Sequence, residues 1–145
     1  MFRCSSITAL VKGVSERVRA EAPSVRLSAA VCCHPDANPD DLGQDWASWG
    51  EAGYLDFLCP MNYAGDSDLM FKGLVNAQMG ALKCGRTKIR PGLGLSCWRN
   101  LCRDARTLAS QIMIIREAGL DGFAVFDFDT RAEKVLPVIH SGPTR

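Results

Sequence analysis

Four apolar runs begin near residues 25, 54, 88 and 121, and segments of helical periodicity separate them. The step of about 30 residues is the length of one strand–helix–strand unit. This alternation constrains the fold more than any other feature. Strands alternating with helices predict a parallel sheet covered by helices, which is the α/β class.

The runs are VRLSAAVCC (25–33), YLDFLCPM (54–61), KIRPGLGLS (88–96) and DGFAVFDFD (121–129). A helix is predicted over 5–21, where Ile7, Leu10, Val11, Val14 and Val18 recur at three- and four-residue steps. Lys12, Glu16 and Arg19 fall on its other face, and Pro23 stops it. HPDANPDDLG reads as a loop, and QDWASWGEAG (44–53) as a short helix ended by Gly53. The helix expected near 67–82 carries Leu69, Phe71, Leu74, Val75, Met79 and Leu82 on one face. A helix over 104–118 follows, with Leu108, Ile112 and Ile115 at helical spacing and Gly119 closing it. The last helix, RAEKVLPVIH, holds Pro137 and is expected to be short or kinked.

At 145 residues the chain has the size of a single domain, 1–145. Two arrangements accommodate four such units: a small doubly wound sheet, or half of a (β/α)8 barrel, whose full form needs roughly 250 residues. A doubly wound nucleotide binder should place a Gly-rich turn directly after its first strand. No such turn follows Val25–Cys33. The glycines of PGLGL lie inside a strand, where they mark close packing or room for a ligand.

A net charge of +1 and the lack of any Lys/Arg cluster argue against a nucleic-acid partner or a polybasic membrane surface. No apolar stretch approaches the ~18 residues needed to span a bilayer. The first residues carry charges throughout and lack the apolar segment of a signal peptide. The compartment is left open. The seven cysteines are odd in number and contain no CxxC. Most read as buried or incidental thiols. A metal site at Cys32, Cys33 and His34 would need adjacent cysteines to share an ion, whereas zinc ligands favour spacings of two to four residues. Neither a metal nor an organic cofactor is expected.

The segments VRLSAAV, GQDWASWGEAGYLDFLCPMNY, IRPGLGLS and DGFAVFDFD together resemble the later part of the glycosyl hydrolase-like 10 family, bacterial proteins built on a (β/α)8 barrel. The resemblance runs from about Phe2 to Pro137. Its most specific piece is Gly43-Gln44-Asp45-Trp46, then Trp49, Gly53, Asp56-Phe57 and Pro60-Met61-Asn62-Tyr63. It implies a partial barrel whose four parallel strands are the fifth to eighth of the whole. It also implies cleavage of glycosidic bonds in a polysaccharide as the parent activity, without a cofactor. The chain lacks the family's strand-four segment, an acid followed by Tyr-Ile-Arg-Tyr-Pro, so it reads as an N-terminally truncated fragment.

Strand C-termini in such barrels face one common mouth. His34, Asn62, Tyr63, Trp98, Asp127 and Asp129 each lie just past a predicted strand. Tyr63 and Trp98 suit sugar binding, because aromatic faces stack on pyranose rings while amide and hydroxyl groups bond the sugar hydroxyls. His34 and Asn62 complete the substrate-binding set, although His34 beside Pro35 also reads as a solvated loop histidine. Trp46 and Trp49 read as core. Asp56 reads as a structural acid. Asp129, with Asp127, is the catalytic candidate, against the alternative that these acids cap a helix before Thr130. Glycoside hydrolysis needs two carboxyls flanking the bond. Asp127 and Asp129 stand two residues apart on one strand end, and Asn62 occupies a position that often holds an acid in relatives. The expectation is therefore a fragment inactive alone, with a non-catalytic carbohydrate-binding half-barrel as the alternative and an inactive gene product as a third reading. Exposed sheet edges would favour self-association.

Overall fold

The computed structural model describes residues 2–37, 39–63, 67–83, 85–95, 105–127, 129–140 and 142. The chain divides into two compact units, Met1–Pro60 with Ala77–Ile89, and Met61–Asn76 with Arg90–Arg145. Parallel strands alternate with helices, as the period requires.

The first unit contains α1 (Phe2–Glu21), β1 (Ser28–Val31), α2 (Pro39–Leu42), α3 (Trp46–Glu51), β2 (Phe57–Pro60), the end of α4 (Asp68–Ala81) and β3 (Lys88–Ile89). Its sheet has the order β1-β2-β3, with Ser28 opposite Phe57 and Leu58 opposite Ile89 in parallel register. Val31, Trp46, Trp49, Leu55 and Leu58 form the core, and Ile7, Val11, Leu27 and Leu82 pack against it. Both tryptophans are core residues, and the Trp49 indole N–H donates to Thr8 Oγ1 at 2.8 Å. That bond satisfies the polar edge of a buried ring, which otherwise would cost free energy.

Asp56 joins three elements. Its Oδ2 accepts from the Leu27 amide at 2.7 Å, and its carbonyl accepts from the Lys88 amide at 3.0 Å. Arg19 Nη2 stands 4.0 Å from its Oδ1. The acid therefore has the structural role expected of it, one residue ahead of β2 instead of inside it.

Two helix faces differ from their periodicity. On α1, Leu10 and Val14 are exposed, whereas Ser15 is buried. Arg19 Nε donates to Ser15 Oγ, which provides a polar partner on the buried side. On α4, Leu69 and Met79 are exposed while Gln78 is buried and its Nε2 donates to the Cys33 carbonyl. In both helices a satisfied polar side chain occupies a position that periodicity would give to an apolar one. The expected 34–43 loop also contains the single turn α2.

The second unit contains the start of α4, β4 (Gly92–Gly94), α5 (Ala105–Glu117), β5 (Ala124–Phe126) and α6 (Thr130–His140). β4 and β5 pair in parallel, with Gly92 opposite Ala124 and Gly94 opposite Phe126. Among the described residues, Phe71, Leu74, Val75, Leu93, Leu95, Leu108, Ile112, Ile115 and Ala132 are its buried apolar side chains. α6 continues through Pro137 as one element of 11 residues. The Phe126–Asp127 peptide is cis.

The run expected to be one strand over 88–96 is two, β3 and β4, and they belong to different sheets. Pro91 lies between them and has no N–H for a ladder. It contributes as an acceptor only, taking a hydrogen bond from the Ala124 amide at 3.0 Å. The described sheets have three and two strands in sequential order, and neither closes on itself.

Each unit repeats one device ahead of a strand. After α3, Gly53 adopts φ +70, its amide donates to the Gly50 carbonyl, and the Tyr54 amide donates to the Trp49 carbonyl. After α5, Gly119 adopts φ +75, its amide donates to Arg116, and Leu120 donates to Ile115. Both are Schellman caps, in which a left-handed glycine lets two amides satisfy the last helical carbonyls. The repeated Glu-Ala-Gly at 51–53 and 117–119 is the sequence form of this stop, and β2 or β5 follows within a few residues.

Candidate functional site

The strongest candidate surface lies in the second unit. Asn62 and Tyr63 follow directly from the end of β2, and Phe126 is the last residue of β5. The Tyr63 and Phe126 rings stack with centroids 5.8 Å apart and planes inclined by 21°. This lies within the usual range for offset aromatic pairs, which add about 0.5–1.5 kcal/mol beyond their area. Phe126 is 54% exposed and Tyr63 is half-buried, so the pair presents aromatic surface to solvent.

Backbone bonds hold both rings. The Leu95 amide donates to the Phe126 carbonyl at 2.7 Å, which extends the β4–β5 ladder to the end of β5. The Tyr63 amide donates to the Met61 carbonyl at 2.9 Å, forming a tight turn after β2. Asn62 is fully buried. A buried amide supplies fixed donors and acceptors, but it cannot act as a proton-donating acid at neutral pH.

Asp127 is half-buried and immediately follows Phe126. Asp129 caps α6: its Oδ1 accepts from the Ala132 amide at 3.1 Å, and its carbonyl accepts from the Glu133 amide at 3.2 Å. This is the N-cap arrangement that short acidic side chains favour, and it satisfies a helical amide left without an intrahelical partner. The helix-capping alternative for Asp129 therefore has direct geometric support. Glu133 in the first turn adds negative charge at the positive end of the helix.

His34 lies in the first unit, after β1. It is exposed, and its carbonyl accepts a long bond from the Ala37 amide at 3.4 Å. Trp98 lies outside the described residues. The structure thus brings Tyr63 to Phe126, and with Phe126 its neighbour Asp127. Phe126 is the site residue that sequence reasoning did not single out. Its signal was present, since an aromatic residue in last place on a strand, just before an acid, is poorly placed for core duty.

Among the described residues, no group of three or more His, Cys, Asp or Glu side chains is placed to hold a metal ion. No described helix is long and apolar enough to cross a membrane. No protein-family model matches the chain, and no curated protein matches it.

Proposed function

We infer that this chain is the C-terminal half of a glycoside-hydrolase-type (β/α)8 barrel, that it binds carbohydrate at the ends of its strands, and that by itself it does not cleave glycosidic bonds. The observation that carries the reading is the partly exposed Tyr63–Phe126 stack at strand ends, beside Asn62 and Asp127. Flat aromatic surface next to a few polar groups is the chemistry by which proteins hold pyranose rings. The sequential, parallel order of the strands supports the barrel origin, since strand–helix units in a barrel follow one another around the sheet.

The position of the acids favours binding over cleavage. Retaining chemistry needs carboxyls about 5–5.5 Å apart and inverting chemistry about 6.5–9.5 Å, on opposite sides of the bond. Asp127 and Asp129 share one strand end, and Asp129 is engaged as a helix cap. Asn62 contributes an amide where an acid would be needed. The chain's carbohydrate partner would be a polysaccharide or its oligosaccharides.

Self-association belongs to the same reading. Open sheets end in edge strands, and such edges invite pairing with a second chain. Leu10, Leu69 and Phe126 are 65%, 85% and 54% exposed, which adds apolar surface suited to contact. Assay of the purified chain on a panel of aryl glycosides tests the catalytic half of the proposal. No turnover is expected; turnover that disappears in Asp129→Asn contradicts it.

A further inference from the structure

Asp121-Gly122 lies between the Gly119 cap of α5 and the start of β5, and the site described above does not use it. It is the one Asp-Gly step in the sequence, and no Asn-Gly step occurs. Backbone bonds fix both ends of this short connection. The Leu120 amide donates to the Ile115 carbonyl at 3.1 Å, and the Ala124 amide donates to the Pro91 carbonyl at 3.0 Å. Asp121, Gly122 and Phe123 span the interval between those anchors, outside regular structure.

Packing favours glycine at 122. The Arg90 side chain lies against its backbone, and a Cβ there would stand 3.2 Å from Arg90 Nε, closer than ordinary van der Waals contact. The missing side chain has a chemical consequence too. A glycine amide nitrogen is the least hindered nucleophile that a chain can place after an aspartate, and its backbone turns most freely.

The electrophile is accessible as well. Asp121 is exposed, and with Ile115, Arg116, Leu120, Gly122 and Phe123 it lines a cavity of about 280 Å³. Water therefore reaches both reacting groups. Arg90 Nε stands 3.6 Å from Asp121 Oδ1, and the Asp121 side chain is 40% exposed. An ion pair that long and that exposed holds weakly. It slows the approach of the carboxyl group to the Gly122 nitrogen without preventing it.

We propose that Asp121-Gly122 is a modification site at which the folded chain converts aspartate to isoaspartate, and that the conversion loosens the start of β5. The Gly122 nitrogen attacks Asp121 Cγ. An N–Cγ bond forms, a Cγ–O bond breaks, and the oxygen leaves as water with the amide proton and the carboxyl proton. The resulting succinimide then takes up one water. Cleavage between the Asp121 carbonyl carbon and the Gly122 nitrogen leaves the main chain running through Cβ and Cγ. One water leaves and one enters, so mass is unchanged and no oxidant or reductant takes part. The main chain is then one atom longer between two fixed ends. The Ala124-to-Pro91 bond, where the β4–β5 ladder begins, bears the mismatch.

The test holds the full chain at neutral pH in water enriched in heavy oxygen, with circular dichroism confirming that it stays folded. Peptide mapping should place isoaspartate at position 121 with heavy oxygen incorporated there, and a protein-isoaspartate methyltransferase should label the same peptide. This mapping uses the unsubstituted chain, so it is independent of how any variant folds. Asp121→Glu, whose longer side chain would have to close a larger ring, should lose the signal. The isomerised fraction should exchange its Ala124 amide proton faster than the parent. No isoaspartate, isoaspartate at another residue instead, a product that forms only in urea, or a label that survives in Asp121→Glu overturns the proposal, as does an unchanged Ala124 exchange rate.

Discussion

The Tyr63 and Phe126 rings stack 5.8 Å apart, so the turn after Pro60 and the last residue of β5 meet through aromatic faces. Asp127, next in the chain, and Asp129, at the start of α6, stand at the same strand end. Whether those acids serve structure or chemistry is open to separate measurement.

Asp129→Ala should destabilise the protein by about 1 kcal/mol, because the Ala132 amide loses its cap. Asp129→Asn should remain within a few tenths of a kcal/mol of the parent, since asparagine caps as well as aspartate. Urea midpoints of the two variants decide the matter. Equal losses in both would mean that charge, and not capping, is what Asp129 supplies to the fold.

Thr87 is buried, and its Oγ1 lies 2.9 Å from the Gly50 carbonyl and 2.8 Å from the Leu55 carbonyl. One hydroxyl proton serves both acceptors, linking the approach to β3 with α3 and with the approach to β2. Thr87→Val keeps the shape and removes the donor. It should cost about 1–3 kcal/mol, the usual consequence of leaving buried acceptors unsatisfied. A variant as stable as the parent in chemical unfolding would show that these contacts contribute nothing.

Gly43 and Gly119 both hold left-handed backbone, at φ +70 and +75. A Cβ at Gly119 would meet nothing within 4 Å, so Gly119→Ala should cost only the conformational term, about 1–2 kcal/mol. A Cβ at Gly43 would lie 2.5 Å from Ile7 Cδ1. Gly43→Ala should therefore be the more destabilising of the two by thermal unfolding. The reverse order would contradict the close approach of the α2–α3 connection to α1.

The alternation of strands and helices was legible because each helix carries a run of apolar residues at helical spacing and each strand a short apolar run. The glycine stops were legible too: Gly53 and Gly119 sit where two helices end. Three features were not. Arg90-Pro91 breaks the third run, and although Pro91 advertised a break, only pairing shows that its two halves join different sheets. Ser15 and Gln78 are buried polar side chains, bonded to Arg19 on the same helix and to the distant Cys33 carbonyl, and a reading of apolar periodicity registers neither. Of the candidate site, Tyr63 was readable from its position past a strand, whereas its stacking on Phe126 was not, since the two lie 63 positions apart in the chain.

Sedimentation velocity of the purified chain should report dimers or larger species that grow with concentration. The exposed Leu10, Leu69 and Phe126 and the open sheets favour such association. A monomer that persists at high concentration and unfolds cooperatively would remove self-association from the account.

Calorimetric titration of the full chain with soluble oligosaccharides, run beside Tyr63→Ala and Phe126→Ala, tests the central claim most directly. The account predicts weak, saturable binding by the parent that disappears in both variants while circular dichroism shows each variant still folded. Binding that survives in both variants, or a parent chain that takes up none of the saccharides, would contradict it.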